Sequence, residues 1–145
     1  MHWRRFALAY PMTALIFVAL DACWLGAMAD RLYRPALGAL MLPQPELAPA
    51  VALYAIYVVG VVVFAVLPAL RGRDWRIALG RGALLGLVVY ATYDLTNQAT
   101  LRGWAWHVSF ADMAWGTVAT AAASAISCAL CLRIESGVRR RRQGR

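Results

Sequence analysis

Three aspartates, Asp21, Asp94 and Asp112, stand within or at the mouth of long apolar stretches, although the whole chain carries only seven acidic residues. Ionisable groups are costly in hydrocarbon, so a carboxylate there marks a candidate site for an ion, a polar ligand or a proton. Asp94 belongs to the densest polar segment, which runs from Tyr90 to Thr100. Spacings of three and four put Tyr90, Asp94 and Asn97 on one helix face, with Tyr93, Thr96 and Thr100 alongside. Thr, Asn and Asp compete with the helix for backbone hydrogen bonds, which predicts a loosened segment lining a cavity rather than facing lipid. Asp21 shares a stripe with Tyr10, Phe17 and Trp24, and Asp112 opens a run containing Trp115 and Gly116. Tyr54 and Tyr57 fall near the same level.

The candidate ligand-binding set is therefore Asp21, Trp24, Tyr90, Tyr93 and Asp94, then Thr96, Asn97, Thr100, Asp112 and Trp115. Any catalytic role would fall to Asp94 as general acid or base, tuned by Asp21. Plainer readings compete. Ser109-x-x-Asp112 fits a capping box at a helix start, and Asp21 or Asp94 could serve only as interhelical glue.

The elements that position these residues follow from hydropathy. The chain has 145 residues, 62% of them hydrophobic, and a mean hydropathy of +0.58. Four stretches, near 6–29, 48–70, 77–101 and 109–133, reach the roughly 20 residues that a membrane span needs. Their apolar runs are continuous rather than alternating, which excludes a barrel and leaves helices. The predicted fold is all-α: an integral membrane four-helix bundle in one domain over 1–134, followed by a basic tail over 135–145. At about 1.5 Å of rise per residue, Asp21 lies roughly 12 Å from the end of its helix at Ala29. Asp94 is then roughly 10 Å from Leu101 and Asp112 about 5 Å from Ser109. All three occupy one layer in one half of the membrane.

A net charge of +8 invites a nucleic-acid reading, but the placement of the arginines opposes it. One side collects Arg4 and Arg5, then Arg71, Arg73, Arg76 and Arg81, and finally Arg133 with the tail from Arg139 to Arg145. Only Arg31, Arg34 and Arg102 fall on the other. The positive-inside rule therefore predicts a multi-pass protein with both termini in the cytoplasm. The tail is expected to sit against anionic headgroups, and no base-reading module is visible. Ala27-Met28-Ala29 resembles a signal-peptidase site. The preceding run is nonetheless long enough to span and holds Asp21 and Trp24, so an uncleaved first helix is expected.

Small residues mark packing faces. Gly82 and Gly86 form a GxxxG, and Gly116, Thr120, Ser124 and Cys128 recur every fourth residue, a pattern that lets helices approach closely or pairs copies of the chain. Cys128 and Cys131 have CxxC spacing without nearby ligands and read as small buried thiols. Metal binding by the aspartates with His107 lacks a paired-ligand motif, and no metal site is assigned. No cofactor motif is present, whether phosphate loop, histidine cluster or haem signature, so no cofactor is expected. The linker over 30–47 reads as a short interfacial helix between Pro35 and Pro43.

Several blocks together resemble a known family: Leu20-Asp21-Ala-Cys-Trp24-Leu25, Tyr57-Val-Val-Gly60, Tyr90-Ala-Thr-Tyr93-Asp94-Leu95-Thr96-Asn97-Gln-Ala99-Thr100-Leu101 and Asp112-Met-Ala-Trp115-Gly116-Thr117. The chain is similar, from about Phe6 to Leu132, to the bacterial membrane protein family called domain of unknown function 2177. The resemblance implies a small inner-membrane protein of four helices and carries no activity with it. Its motif residues fall on Asp21, Trp24, Asp94, Thr96, Asn97, Asp112, Trp115 and Gly116. Function divides three ways. The first reading is binding or translocation of a small molecule, lipid headgroup or cation in an outward-facing pocket, with oligomers expected. The second is a cofactor-independent membrane enzyme acting on a lipid or apolar substrate. The third is a structural assembly protein.

Overall fold

The computed structural model describes residues 2–143. Within them the chain forms four long helices and no strand. Helix α1 spans His2–Met28 and runs on through a π-helical turn, Ala29–Tyr33, into Arg34–Leu37. Helix α2 covers Leu47–Gly72, α3 Trp75–Thr100 and α4 Trp106–Gln143. The arginine tail is thus helical to Gln143; the side chains from Arg139 on, and Arg145 altogether, lie outside the described residues.

Three of the helices, Trp3–Leu37, Leu47–Gly72 and Trp106–Val138, are long and apolar enough to cross a membrane. Helix α3 has the length, at 26 residues, but is not one of the three. The four expected helices are present, and α3 is less apolar than the other three because the polar run from Tyr90 to Thr100 dilutes its second half.

Two expected boundaries also move, and proline explains one. Helix α2 does not end near Pro68 but continues to Gly72 through the π turn Val62–Val66. Proline lacks an N–H, so the carbonyl four residues earlier loses its helical donor. That carbonyl belongs to Phe64, and Arg81 Nη1 of α3 donates to it at 3.4 Å. At the other end, α1 outruns its expected stop at Ala29, so the interfacial helix foreseen in the linker is a continuation of α1. The α2–α3 turn is as tight as expected: Arg73 takes a left-handed conformation (φ 54°) and Asp74 caps α3 by accepting from the Arg76 N–H.

Both ends of the described chain meet. Arg5 donates to Glu135 through Nε at 2.7 Å and Nη2 at 2.9 Å, a bidentate pair joining the start of α1 to the last turns of α4. Near this end a dry core gathers Val58, Val61, Val66, Leu70, Cys128 and Cys131. The two thiols are free and buried, as their apolar setting foretells.

Helices α3 and α4 make the closest approach in the molecule. A Cβ built on Gly86 would stand 2.2 Å from the Gly116 carbonyl oxygen, and one on Gly82 would stand 2.6 Å from Ser124 Oγ. A Cβ on Gly116 would enter the Tyr90 ring at 2.1 Å. The antiparallel register thus sets Gly82 against Ser124, Gly86 against Gly116 and Thr120, and Tyr90 against Gly116. One further turn in the same register places Asp94 across from Asp112. By contrast, α3 packs on α2 chiefly through Val62–Val66 and Leu67–Gly72. Toward the far end α3 stays with α4, the first half of α2 stays with α1, and the space between the pairs opens.

Candidate functional site

That opening is a cavity of about 340 Å³, at the end of the molecule away from the termini. Every long helix contributes to it. Helix α1 supplies Phe17, Asp21, Trp24 and Leu25; α2 supplies Leu53, Tyr54 and Tyr57. Helix α3 adds Val89, Tyr90 and Tyr93, α4 adds Asp112 and Trp115, and the π turn adds Tyr33. Spacings of three and four along α1 and α2 bring these residues onto one face of each helix.

Hydrogen bonds fix both carboxylates. Asp21 accepts from the Tyr54 hydroxyl at 2.5 Å and from Trp115 Nε1 at 3.0 Å. Asp112 accepts from the Tyr33 hydroxyl, which in turn accepts from Trp24 Nε1 at 2.8 Å. The two indoles stack, with ring centroids 4.6 Å apart and planes within 6°. A continuous chain of contacts therefore runs Tyr54–Asp21–Trp115–Trp24–Tyr33–Asp112 across all but one of the helices. Behind it, Phe17 lies 5.0 Å from Tyr57 at 60° and 6.2 Å from Tyr54 at 62°, so these rings form a corner rather than a stack. Tyr57 is held through its hydroxyl by Thr120 at 2.7 Å.

Charge in the cavity is unbalanced. Asp21 and Asp112 are its ionisable acids, and no arginine or histidine is among the residues that line it. Arg34 is bound instead to Asp30 at 2.8 Å, on the exposed side of the π turn. A carboxylate offers about four acceptor positions, so Asp21, with two donors, keeps acceptor capacity toward the cavity.

The remaining foreseen residues separate. Asp94 is fully buried and neither of its oxygens has a hydrogen-bond partner; it lies in the α3–α4 seam within electrostatic reach of Asp112, not on the cavity wall. Thr96 and Thr100 face the opposite way, onto a shallow groove shared with Val88 and Leu95. Thr100 spends its hydroxyl on the Thr96 carbonyl at 2.8 Å. Asn97 is half-buried and does not line the cavity, while its carbonyl accepts from the Leu101 N–H. The helical face drawn through Tyr90, Asp94 and Asn97 is therefore split: the Tyr90 ring lies over Gly116 and lines the cavity, while Asp94 and Asn97 do not line it.

Asp112 is not a cap. Helix α4 begins at Trp106, three residues before the foreseen start, so Asp112 lies in its second turn and bonds Tyr33. Ser109 instead accepts from Trp104 Nε1 at 3.0 Å. Among the described residues no group of three or more His, Cys, Asp or Glu side chains is placed to hold a metal ion.

A model of the predicted membrane protein family DUF2177 matches residues 6–129. The chain belongs to this family. Every residue lining the cavity lies inside the matched segment, whereas Cys131 and the arginine tail lie beyond it. No curated protein and no solved structure matches the chain.

Tyr33 is the wall residue that spacing could not find, since it sits in what reads as a linker; the one available signal was a tyrosine beside a proline-bounded turn. Its importance is measurable. Tyr33→Phe leaves the Asp112 acceptor and the Trp24 N–H unpaired, a loss of about 1–3 kcal/mol. The expected result is a melting midpoint lowered by several degrees, with a changed near-ultraviolet circular dichroism band from the stacked indoles. A variant that matches wild type in both would remove Tyr33 from the network.

Proposed function

We propose that this membrane protein binds or translocates a small molecule, a lipid headgroup or a cation in the cavity between its four helices. One observation carries the reading: eight aromatic rings and two carboxylates enclose a half-open space that holds no compensating positive side chain. Interior packing leaves few voids larger than a water molecule, and ligand sites run from about 300 Å³ upward. Pure helix glue needs no such space.

The arginine distribution supports a cytoplasmic location for both termini and for the α2–α3 turn, in the inner membrane, so that the cavity faces outward. The tail from Arg139 would lie on anionic headgroups. Four helices are few for a complete transporter, and a homo-oligomer fits that shortage. A second reading, a cofactor-independent membrane enzyme, draws on the bare carboxyl of Asp94, which lies buried within electrostatic reach of Asp112.

Native mass spectrometry with lipid analysis of gently extracted protein tests the proposal. A discrete molecule should accompany the wild type and be lost from Asp21→Asn that elutes as folded protein in size-exclusion chromatography. Bulk phospholipid alone on both would overturn the binding reading and favour helix glue.

A further inference from the structure

We propose that the cavity recognises a quaternary ammonium group; this rests on the binding reading above and names its ligand class. The sign comes from charge. Both ionisable acids of the wall are aspartates, no basic side chain lines the space, and an anion would meet uncompensated repulsion from Asp21 and Asp112. The remaining question is which kind of cation.

A metal ion or a primary ammonium needs several convergent oxygens. No cluster of three or more acidic, histidine or cysteine side chains exists here among the described residues. The two carboxylates are already partly engaged: Asp21 holds Tyr54 and Trp115, and Asp112 holds Tyr33. Those donors anchor the carboxylates and occupy part of their hydrogen-bonding capacity. A cation that donates no hydrogen bond suits that state.

The walls agree. A quaternary ammonium spreads its charge over methyl groups that pack on aromatic faces and gain from the ring quadrupole. The Phe17 ring is inclined by about 60° to the rings of both Tyr54 and Tyr57, a corner of the kind that can receive a near-spherical group. Tyr90 and the Trp24–Trp115 stack line the same space. The volume of about 340 Å³ exceeds what one such headgroup fills and leaves room for a short attached chain. Exposed Leu25, Leu53 and Tyr93 among the lining residues would let that chain leave sideways.

Such a group arrives either as a free solute or as a lipid headgroup. The test follows tryptophan fluorescence of the full chain, delipidated in maltoside micelles, during titration with choline. The control titrant is dimethylbutanol, which has the same shape with carbon in place of the ammonium nitrogen. Choline should give a saturable change at a concentration at least about tenfold below that of the alcohol. Asp21→Asn and Asp112→Asn should each weaken choline on the order of tenfold and leave the alcohol unchanged. Because choline and alcohol are also compared on the wild type, the outcome does not depend on either variant folding.

Equal potency of the two titrants would overturn the ammonium proposal while sparing the binding reading. A saturable response to neither, in micelles and in phosphatidylglycerol nanodiscs alike, would overturn both. In phosphatidylcholine nanodiscs, loss of the choline response would identify the lipid headgroup as the source, and a retained response the free solute; either supports the shared chemistry.

Discussion

Gly86→Leu is expected to leave little folded protein, and Gly86→Ala to melt at least about 10 °C below wild type. The reason is backbone against backbone. Even a methyl group at position 86 would stand 2.2 Å from the Gly116 carbonyl oxygen and 2.8 Å from Thr120 Oγ1. A flexible side chain could swing away from such a contact; a carbonyl inside a helix cannot. Overpacking a core ordinarily costs about 1–3 kcal/mol, and a contact that must separate two helices belongs at or above the top of that range. Without a hydrophobic drive between helices in lipid, close van der Waals contact is most of what holds α3 to α4. Gly80→Ala supplies the control on the same helix. A Cβ there meets nothing within 4 Å, and alanine is the better helix former by about 1 kcal/mol, so its melting midpoint should equal or exceed wild type. Thermal melts followed by size-exclusion chromatography in detergent measure all three. Gly86→Leu melting with wild type would mean that the two helices are not in contact at this seam.

Asp94→Asn should behave in the opposite way, retaining or raising stability while abolishing any proton chemistry of the membrane-enzyme reading. Glue residues earn their place through bonds, and Asp94 makes none: it is fully buried and both oxygens lack partners. A buried polar group without a hydrogen bond costs about 1–3 kcal/mol, more if it is charged. Asparagine keeps the shape and removes any charge from the buried seam. The expected shift is a midpoint several degrees above wild type. Sites that tolerate such cost are commonly functional, because a destabilising group persists only when something else requires it. The same melt, paired with the ligand measurements, decides the matter. A midpoint lowered by several degrees would show that Asp94 is structural glue after all.

Much of this molecule can be read without coordinates, for reasons of period and solvation. The helix count follows from the length of the apolar runs, since lipid permits no other answer for them. The packing stripe of Gly116, Thr120 and Ser124 is legible because helical neighbours recur every three or four residues, and its partner on α3 is legible as GxxxG. Asp21, Trp24, Tyr90, Asp112 and Trp115 stand out in sequence because acids and large aromatics at one level of several apolar helices are unusual.

What the helices do to one another is another matter. The course of α2 through Pro68 to Gly72 leaves the Phe64 carbonyl without its helical donor, and Arg81, thirteen residues beyond the proline, donates to it. The engagement of Tyr33 depends on a π turn that rotates a linker residue over the mouth of the cavity. The exclusion of Asp94 from that cavity depends on the α3–α4 seam, whose glycines let the two backbones come so close that the Tyr90 ring lies over Gly116 and Asp94 is enclosed. Thr96 and Thr100 point away because a helix has more than one polar face and spacing alone does not say which is covered. By itself, then, the sequence determined the class of fold and marked most of the residues that line the cavity, both of which depend on periodicity and on the cost of polar groups in lipid. Only the tertiary structure decided which carboxylates share a space and which one is left without a partner, because that turns on helix rotation and approach at a scale of single ångströms.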